Sequence, residues 1–139
     1  MVVESLIDVR LPDCDCMNVV HHAVYPLWYE IGRMDLFKAT GFDFVYAHIE
    51  NGVDPACVNL NMNYGRPVTY PGTVKLKTMV TLCENKKIAF KYELYFNDDE
   101  NPVCSATSFH IWVKNGKSIN IEEAFPEMFA AYKAAVEEK

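Results

Sequence analysis

The chain has 139 residues, half of them apolar, and a net charge of −6 at pH 7. This length predicts a single domain over residues 1–139 with a sizeable core. The acidic balance argues against a nucleic-acid partner, because phosphate binding needs a basic surface. No apolar run approaches the roughly 20 residues that a membrane-spanning helix needs, so we do not expect membrane insertion.

The N-terminal residues and the cysteines both indicate the cytoplasm. Residues 1–10 lack the basic and then apolar layout of a secretory signal peptide. The five cysteines are odd in number and lie in apolar segments, as reduced thiols usually do. We therefore expect a cytoplasmic protein with free thiols.

The first part of the chain predicts a strand and then a long helix. Residues 4–11 have a weak strand pattern. Apolar residues then recur at helical spacings of three and four: Val24, Leu27, Trp28, Ile31, Met34 and Phe37. Since Pro26 is tolerated only in a first helical turn, the helix should begin near residues 23–25, and Gly41 should end it. A second, short helical piece is predicted over residues 43–49.

The second part of the chain changes to an apolar period of two, which predicts strands. The predicted strands cover residues 58–64, 73–83, 88–96 and 102–113. Short turn sequences join the later strands, so the sheet should be antiparallel. A C-terminal helix is predicted over residues 122–137. The apolar face of the long helix must be covered, so the expected fold is one antiparallel sheet curled around one helix.

The chemically active side chains are concentrated in residues 13–22, just before the predicted long helix. This segment holds two acids, two thiols and two imidazoles: Asp13, Asp15, Cys14, Cys16, His21 and His22. Three interpretations are open, namely a metal site, a structural turn and a catalytic site.

A zinc or iron site is the first interpretation, and the spacing argues against it. C-x-C followed by adjacent histidines is not a usual zinc spacing. Neighbouring side chains on an extended chain also point to opposite sides. In the structural interpretation, Asp13 or Asp15 satisfies backbone amides in a turn, and His21 packs in the core.

In the catalytic interpretation, a carboxylate lies beside the N-terminus of the helix. The unpaired amides and the helix dipole there would stabilise an oxyanion. The carboxylate would activate a water molecule or attack the substrate directly. The residues alone leave all three interpretations open.

Residues 9–30, VRLPDCDCMNVVHHAVYPLWYE, resemble the signature of hotdog-fold acyl-CoA thioesterases. The nearest group is the 4-hydroxybenzoyl-CoA thioesterase-like branch, with its Tol–Pal-associated bacterial members. Their pattern is Asp-x-x-Gly-Val-Val-(His/Tyr)-His, then a small residue, Asn, Tyr, and Trp or Phe followed by an aromatic residue and an acid. The resemblance implies an α+β hotdog fold, in which a five-stranded antiparallel sheet wraps around a long central helix.

The resemblance also implies roles for single residues. Asp15 matches the acid that acts as general base or nucleophile, and His22 matches a histidine important in the Tol–Pal-associated members. The backbone N–H of residue 22 matches the amide that polarises the thioester carbonyl. Tyr25, Trp28 and Tyr29 match aromatic positions of the central helix. Of these, Tyr25 is a candidate substrate contact and Trp28 is expected to pack in the core. No metal or cofactor is implied.

Three residues depart from the family pattern. Asn18, a candidate substrate-binding position, replaces the glycine of the turn. Because Asn is the best non-glycine residue for a left-handed backbone, the turn should survive. Val24 replaces an Asn at the helix start and cannot cap the helix, which should cost about 0.5–2 kcal/mol. Leu11 replaces a tyrosine of the Tol–Pal-associated members.

The expected substrate is an acyl-CoA, whose phosphates would lie on exposed cations. The candidates are Arg66, Lys75, Lys86 and Lys87. The resemblance implies self-association as a homodimer or homotetramer through sheet edges, with the active site between two chains. Two alternatives remain open, namely a thioesterase that acts on acyl carrier protein and a non-catalytic acyl-CoA-binding module.

Overall fold

The computed structural model describes residues 1–137. Its strands are β1 (Val2–Asp8), β2 (Val53–Tyr64), β3 (Thr73–Cys83), β4 (Lys87–Phe96), β5 (Cys104–Lys114) and β6 (Lys117–Ser118). Its helices are α1 (Tyr25–Thr40), α2 (Ile121–Ala124) and α3 (Pro126–Ala134). There is also a 3-10 turn at Leu11–Asp13 and a π-helical turn at Val45–Glu50, which confirms the short helical piece predicted there. No helix in this part of the chain is long and apolar enough to cross a bilayer.

One antiparallel sheet forms the body of the fold. The strand order is β1-β3-β4-β5-β2, and the short β6 pairs with β5. Every pairing in the sheet is antiparallel. Helix α1 packs on one face of the sheet and contacts β1 and β3. This architecture confirms the predicted α+β hotdog fold, with β6 as a two-residue addition.

Helix α1 begins and ends where the sequence predicts. Pro26 lies in its first turn, and Gly41 follows its last residue with a φ of 91°, a left-handed value that glycine adopts without strain. The predicted apolar face is partly wrong, because Leu27 and Ile31 are exposed. The residues that α1 buries are Tyr25, Trp28, Tyr29, Gly32, Leu36 and Phe37.

Gly32 explains which face of α1 meets the sheet. A Cβ atom at this position would collide with Thr78 Oγ1 on β3, so glycine lets the helix backbone approach the strand. Large side chains fill the neighbouring space, for example where the Tyr29 ring stacks on Tyr92. Since apolar residues occupy several faces of α1, spacing alone did not identify the buried face.

Two element boundaries differ from the prediction. Strand β2 starts earlier than expected, at Val53, and includes Pro55. An edge strand tolerates proline because one of its sides has no partner strand. The single helix predicted over 122–137 is instead two helices, separated at Phe125. The residue before a proline avoids the helical conformation, and Pro126 therefore begins a new helix.

A buried chain of hydrogen bonds crosses the core. Arg33 of α1 donates to the Tyr92 hydroxyl at 3.0 Å, and that hydroxyl lies 2.6 Å from Ser108 Oγ. His110 Nε2 lies 2.8 Å from Ser108 Oγ, and His110 Nδ1 lies 3.2 Å from the Pro55 carbonyl oxygen. Because a carbonyl only accepts, Nδ1 carries the proton and Nε2 accepts from the Ser108 hydroxyl. The pattern of donors and acceptors along this chain therefore agrees with a neutral His110 ring.

Candidate active site

Asp15 closes a tight turn at the centre of residues 13–22. Its backbone N–H donates to the Val19 carbonyl at 2.9 Å, and its carbonyl accepts from the Asn18 N–H at 3.0 Å. Its carboxylate oxygen Oδ1 accepts from the N–H groups of Met17 (2.8 Å) and Val19 (3.2 Å). Within residues 1–137 no donor reaches Oδ2, and the side chain is exposed. The carboxylate is thus oriented, with one oxygen open to solvent.

The sequence left open whether Asp13 or Asp15 is a structural acid. The contacts of Asp13 indicate a structural role for this residue. Its side chain is only 4% exposed. Its carboxylate accepts from the main-chain N–H and from the guanidinium of Arg10, both at 2.9 Å. This carboxylate is engaged in a local ion pair, which leaves Asp15 as the available acid.

Asn18 adopts the left-handed conformation that the sequence predicts, with a φ of 57°. Its side-chain Nδ2 donates to the Tyr70 carbonyl at 2.7 Å. This contact ties the Asp15 turn to the loop over residues 65–72. Asn18 therefore has a structural contact, and its substrate-binding role stays a prediction.

The two histidines lie side by side at the surface. The rings of His21 and His22 stack with centroids 4.3 Å apart and an interplanar angle of 28°. The expectations of a core His21 and of side chains on opposite sides are both wrong, because the chain here already turns into α1. His21 Nδ1 accepts from the Ala23 N–H at 3.1 Å. Across residues 1–137 no group of three His, Cys, Asp or Glu side chains is placed to hold a metal ion.

The backbone of residue 22 presents an open donor beside the first turn of α1. The His22 carbonyl accepts a hydrogen bond from the Tyr64 hydroxyl at 2.9 Å. The His22 N–H has no acceptor among the described residues. Val24 gives α1 no side-chain cap, as the sequence predicts. The positive end of the helix dipole therefore lies close to an uncommitted N–H group.

An aromatic cluster lies beside residue 22. The Tyr25 ring is edge-on to Trp28, with centroids 5.4 Å apart, and to Tyr64, with centroids 5.1 Å apart. Burial, with a smaller effect of Cys104, raises the pKa of Tyr25 to about 12, so this phenol stays protonated at neutral pH. Trp28 is 4% exposed and packs in the core, as expected.

Tyr29 lies deeper in the same core. It is fully buried, its ring stacks on Tyr92 at 4.6 Å, and its hydroxyl lies 3.0 Å from Cys104 Sγ. Burial and the contact with Cys104 raise the pKa of Tyr29. Burial also raises the pKa of the Cys104 thiol. Both groups are therefore neutral packing groups at physiological pH.

Sequence reasoning missed Tyr64, the last residue of β2. It is 47% exposed, and it lines a cavity of about 240 Å³ together with Asn63, Gly65, Pro102, Val103, Cys104 and Ser105. The available signal was its position at the end of the alternating run 58–64, on the same face as Leu60 and Met62. Its contact with residue 22 joins distant parts of the chain, so no local pattern reveals it.

Arg66 lies on the loop after β2, near the candidate site. Its guanidinium is 3.3 Å from Asp99 Oδ2 and donates to the Asn101 carbonyl at 3.1 Å. The adjoining cavity of about 450 Å³ is also lined by Asp98 and Glu100. This cation is already paired in acidic surroundings, which weakens its attraction for a phosphate. Its role in CoA binding stays a prediction.

Within residues 1–137, none of the three candidate lysines contacts the Asp15 carboxylate. Lys75 lies with its ammonium 5.6 Å from the centroid of the Tyr95 ring. Lys86 and Lys87 lie at the β3–β4 turn, roughly 30 Å along β3 from the loop that contacts Asn18. Within one chain the structure does not bring these two lysines to Asp15. A role for them at this site requires a second chain.

Strand β2 forms an edge of the sheet next to the site. It pairs with β5 on one side, and its other side has no partner strand in the described part of the chain. Leu60, Met62 and Tyr64, on the face toward the core, are partly or largely exposed. A long unpaired edge is a template for pairing with another strand, so the site borders a surface suited to a second chain.

The comparisons with known proteins agree on one family. Residues 9–132 match the model described as the thioesterase-like superfamily. A Bacillus subtilis (strain 168) protein named "Putative acyl-CoA thioesterase YneP" is 35% identical over 137 residues, which are 96% of this chain and 97% of that protein. A "Putative esterase" from Aquifex aeolicus (strain VF5) is 23% identical over 120 residues, which are 86% of this chain and 91% of that protein.

A solved structure extends the comparison to three dimensions. The DHNA-CoA thioesterase from Staphylococcus aureus superposes with a TM-score of 0.90 and is 27% identical in sequence. The superposition covers 96% of this chain and 89% of that one. The arrangement of sheet and long helix is therefore shared over almost the whole chain.

Proposed function

This chain belongs to the thioesterase-like superfamily and is a thioester hydrolase, and on this premise we propose that it cleaves acyl-CoA into a free acid and coenzyme A. In this proposal Asp15 is the general base or the nucleophile, and the backbone N–H of residue 22 polarises the thioester carbonyl. The His22 side chain orients a water molecule or holds the substrate. The proposed steps need neither a metal ion nor a cofactor.

The observation that supports this proposal is the environment of Asp15. Two backbone N–H groups hold Oδ1, while Oδ2 is open to solvent and free to bind a water molecule. The neighbouring Asp13 is committed to Arg10. Asp15 is therefore the carboxylate in this segment that is both oriented and accessible.

The reaction can proceed through Asp15 in either of two ways. As a base, Asp15 takes a proton from water while the water oxygen attacks the thioester carbon. As a nucleophile, Asp15 attacks this carbon itself, the C–S bond breaks as coenzyme A leaves, and water then cleaves the resulting mixed anhydride. In both routes the carbonyl oxygen becomes an oxyanion that the His22 N–H and the helix dipole stabilise. The C–S bond then breaks, and coenzyme A leaves as a thiolate.

The proposal favours an aryl or medium-length acyl group. The half-exposed Tyr64 ring lies beside residue 22 and offers apolar surface to such a group, while the buried Tyr25 ring supports it from behind. The Staphylococcus aureus relative acts, by its name, on DHNA-CoA, which makes DHNA-CoA one substrate to test.

We propose that two chains pair along β2 and complete the site between them, and that two such dimers can form a tetramer. The unpaired edge of β2 and its exposed apolar side chains support this assembly. A second chain would also bring its own cations toward the Asp15 turn.

We also propose a cytoplasmic location. All five cysteines are unpaired, and free thiols of this kind are typical of reducing compartments. The proposed substrate, a coenzyme A ester, would be met in the same compartment.

A thiol-release assay over short, medium, long and aryl acyl-CoA substrates, with acyl carrier protein esters alongside, tests the proposal. We expect coenzyme A release with saturable kinetics for at least one acyl-CoA class. Thiol release from acyl carrier protein esters, but from no acyl-CoA, would instead indicate a thioesterase that acts on acyl carrier protein. Saturable binding without thiol release would instead favour the non-catalytic binding module and would contradict the proposed hydrolysis.

A further inference from the structure

Tyr64 connects the edge strand β2 to the backbone of residue 22. Its hydroxyl donates a hydrogen bond to the His22 carbonyl oxygen at 2.9 Å, although the two residues are 42 positions apart. The Met62 Sδ atom lies 3.7 Å from the same hydroxyl. A hydroxyl has one proton, and the carbonyl is the nearer and stronger acceptor. The contact therefore joins the candidate site to the sheet edge at one atom pair.

The Tyr64 ring is held in place from the side of α1. It packs edge-to-face against Tyr25, with ring centroids 5.1 Å apart, in a geometry that aromatic pairs prefer. Partial burial, with a smaller effect of Cys104, raises the pKa of Tyr64. The hydroxyl therefore keeps its proton at neutral pH and remains a donor.

Apart from Tyr64, the contacts that restrain residue 22 come from its neighbours in the chain, including the stacked His21 ring. The Ala23 N–H is bound to His21 Nδ1 and the Val24 N–H to the His21 carbonyl, so these bonds stay within one turn. Val24 provides no helix cap. The N–H and C=O groups of residue 22 lie on adjacent peptide planes that share one Cα atom. The His22 N–H shares its peptide plane with the His21 carbonyl, which the Val24 N–H binds. Tyr64 fixes the next plane through the His22 carbonyl, so the two bonds together set the direction of the N–H.

We propose that Tyr64 is a positioning residue, which holds the His22 N–H in the direction that binds the thioester oxygen. This inference rests on the function proposed above. Tyr64 acts through the backbone of residue 22 and not by contact with the reacting atoms. An aligned N–H stabilises the oxyanion more than the ground-state carbonyl, so its misalignment lowers kcat more than it raises KM.

The variant Tyr64→Phe tests this role, because it keeps the ring and removes the hydroxyl. We expect kcat to fall about 3- to 10-fold, the scale of one neutral hydrogen bond, while KM changes less than about 2-fold. The amide signal of His22 in a ¹H–¹⁵N spectrum should also shift. The matched control is Tyr95→Phe, which removes a hydroxyl bonded to Glu93 at 3.1 Å, and it should leave both readouts unchanged.

The outcomes separate this inference from the function on which it rests. An unchanged kcat and an unmoved His22 amide in Tyr64→Phe, together with an inactive Asp15→Asn, would overturn the positioning role and leave the hydrolysis intact. A raised KM at unchanged kcat would make Tyr64 a binding group and would also overturn it. Full activity of Asp15→Asn would instead remove the proposed mechanism, while the amide shift would still report the contact.

Discussion

Asp13 and Asp15 are two residues apart, yet Asp13 is buried against Arg10 and Asp15 is exposed at the head of a turn. The 3-10 turn at Leu11–Asp13 carries the first carboxylate into the fold, and the turn that follows presents the second to solvent. The two carboxylates therefore have different surroundings. Asp13 is paired within the fold, and Asp15 is the acid that the proposed mechanism uses.

Replacing Asp15 should remove catalysis without unfolding the protein. Asp15→Asn keeps the size of the side chain and its hydrogen bonds to Met17 and Val19 but removes the base. We expect kcat to fall roughly 100-fold or more, with little change in KM. The measurement is coenzyme A release, with folding checked by circular dichroism.

Asp13→Asn is the matched control for this experiment. It weakens the ion pair between the buried Asp13 carboxylate and the exposed Arg10 side chain, so it should lower the melting temperature slightly and leave most of the activity of the folded protein. If Asp15→Asn stayed within a few fold of the wild type while a folded Asp13→Asn were inactive, the assignment would be wrong by two residues. Activity in both variants would place the hydrolase site elsewhere.

The left-handed conformation of Asn18 predicts that two substitutions there differ in their effect on stability. Asn18→Gly removes the steric strain of a side chain at positive φ but loses the hydrogen bond to the Tyr70 carbonyl. These effects oppose each other, so the free energy of unfolding should stay within about 1 kcal/mol of the wild type. Asn18→Val places a β-branched residue at positive φ, which should cost at least about 1–2 kcal/mol and lower activity. Urea unfolding and thiol release measure the two effects.

Asn115 provides the control, because it has a φ of 53° in the β5–β6 turn, outside the site. Asn115→Val should lose a similar amount of stability and keep the kcat of the wild type. Equal stability and activity of Asn18→Gly and Asn18→Val would contradict the importance of the turn conformation.

The fold was predictable where one local signal dominates. Pro26 and Gly41 mark the two ends of α1 because each has a backbone requirement that other residues do not meet. The period of two identified β3 and β4 because their alternate residues face the core and the opposite side. The buried face of α1 was identified only in part, because the decisive contact, Gly32 against Thr78, depends on a distant strand.

In the candidate site, the prediction that the structure confirms is the left-handed turn at Asn18, and the role of Asp15 stays a prediction. The resemblance to the family motif, through the spacing from Asp15 to the Val-Val-His-His run, singled out Asp15, and Asn18 has the expected left-handed φ. The burial of Asp13, the stacking of His21 on His22 and the bond from Tyr64 all depend on how the segment folds against other elements. Residue spacing carries no information about such contacts.

The two edges of the sheet should differ in their role in assembly. Val58 on β2 and Leu6 on β1 are both exposed apolar residues, at 53% and 74%. If chains pair along β2, Val58→Lys should shift the sedimentation profile from dimer or tetramer toward monomer and lower activity, because lysine is a charge that discourages edge pairing.

Leu6→Lys is the matched control, since it places the same charge on the opposite edge strand. It should leave the profile unchanged. A wild-type protein that sediments only as a monomer at micromolar concentration would contradict a site shared between chains. Dissociation by Leu6→Lys alone would move the interface to β1.

Protein stability should fall as the pH decreases from about 6.5 to about 4, because of His110. Burial, and then the charge of Arg33, lower the pKa of His110 from 6.5 to about 4. In this window the unfolded chain takes up a proton that the folded protein excludes. The contribution to stability is therefore complete above pH 6.5 and is lost progressively toward pH 4, at up to about 1.4 kcal/mol per pH unit.

The hydrogen-bond chain gives the physical reason for this dependence. Protonation of His110 would place a proton on Nε2, which would then no longer accept from the Ser108 hydroxyl. The positive charge on the ring would also be repelled by the nearby Arg33 guanidinium. Urea unfolding of the wild type and of His110→Gln at several pH values isolates the effect, because the carboxylates that titrate below pH 5 are common to both. The variant should be less stable at pH 7 and should show a shallower slope between pH 6.5 and 4.5. Equal slopes in the two proteins would mean that another group causes the loss.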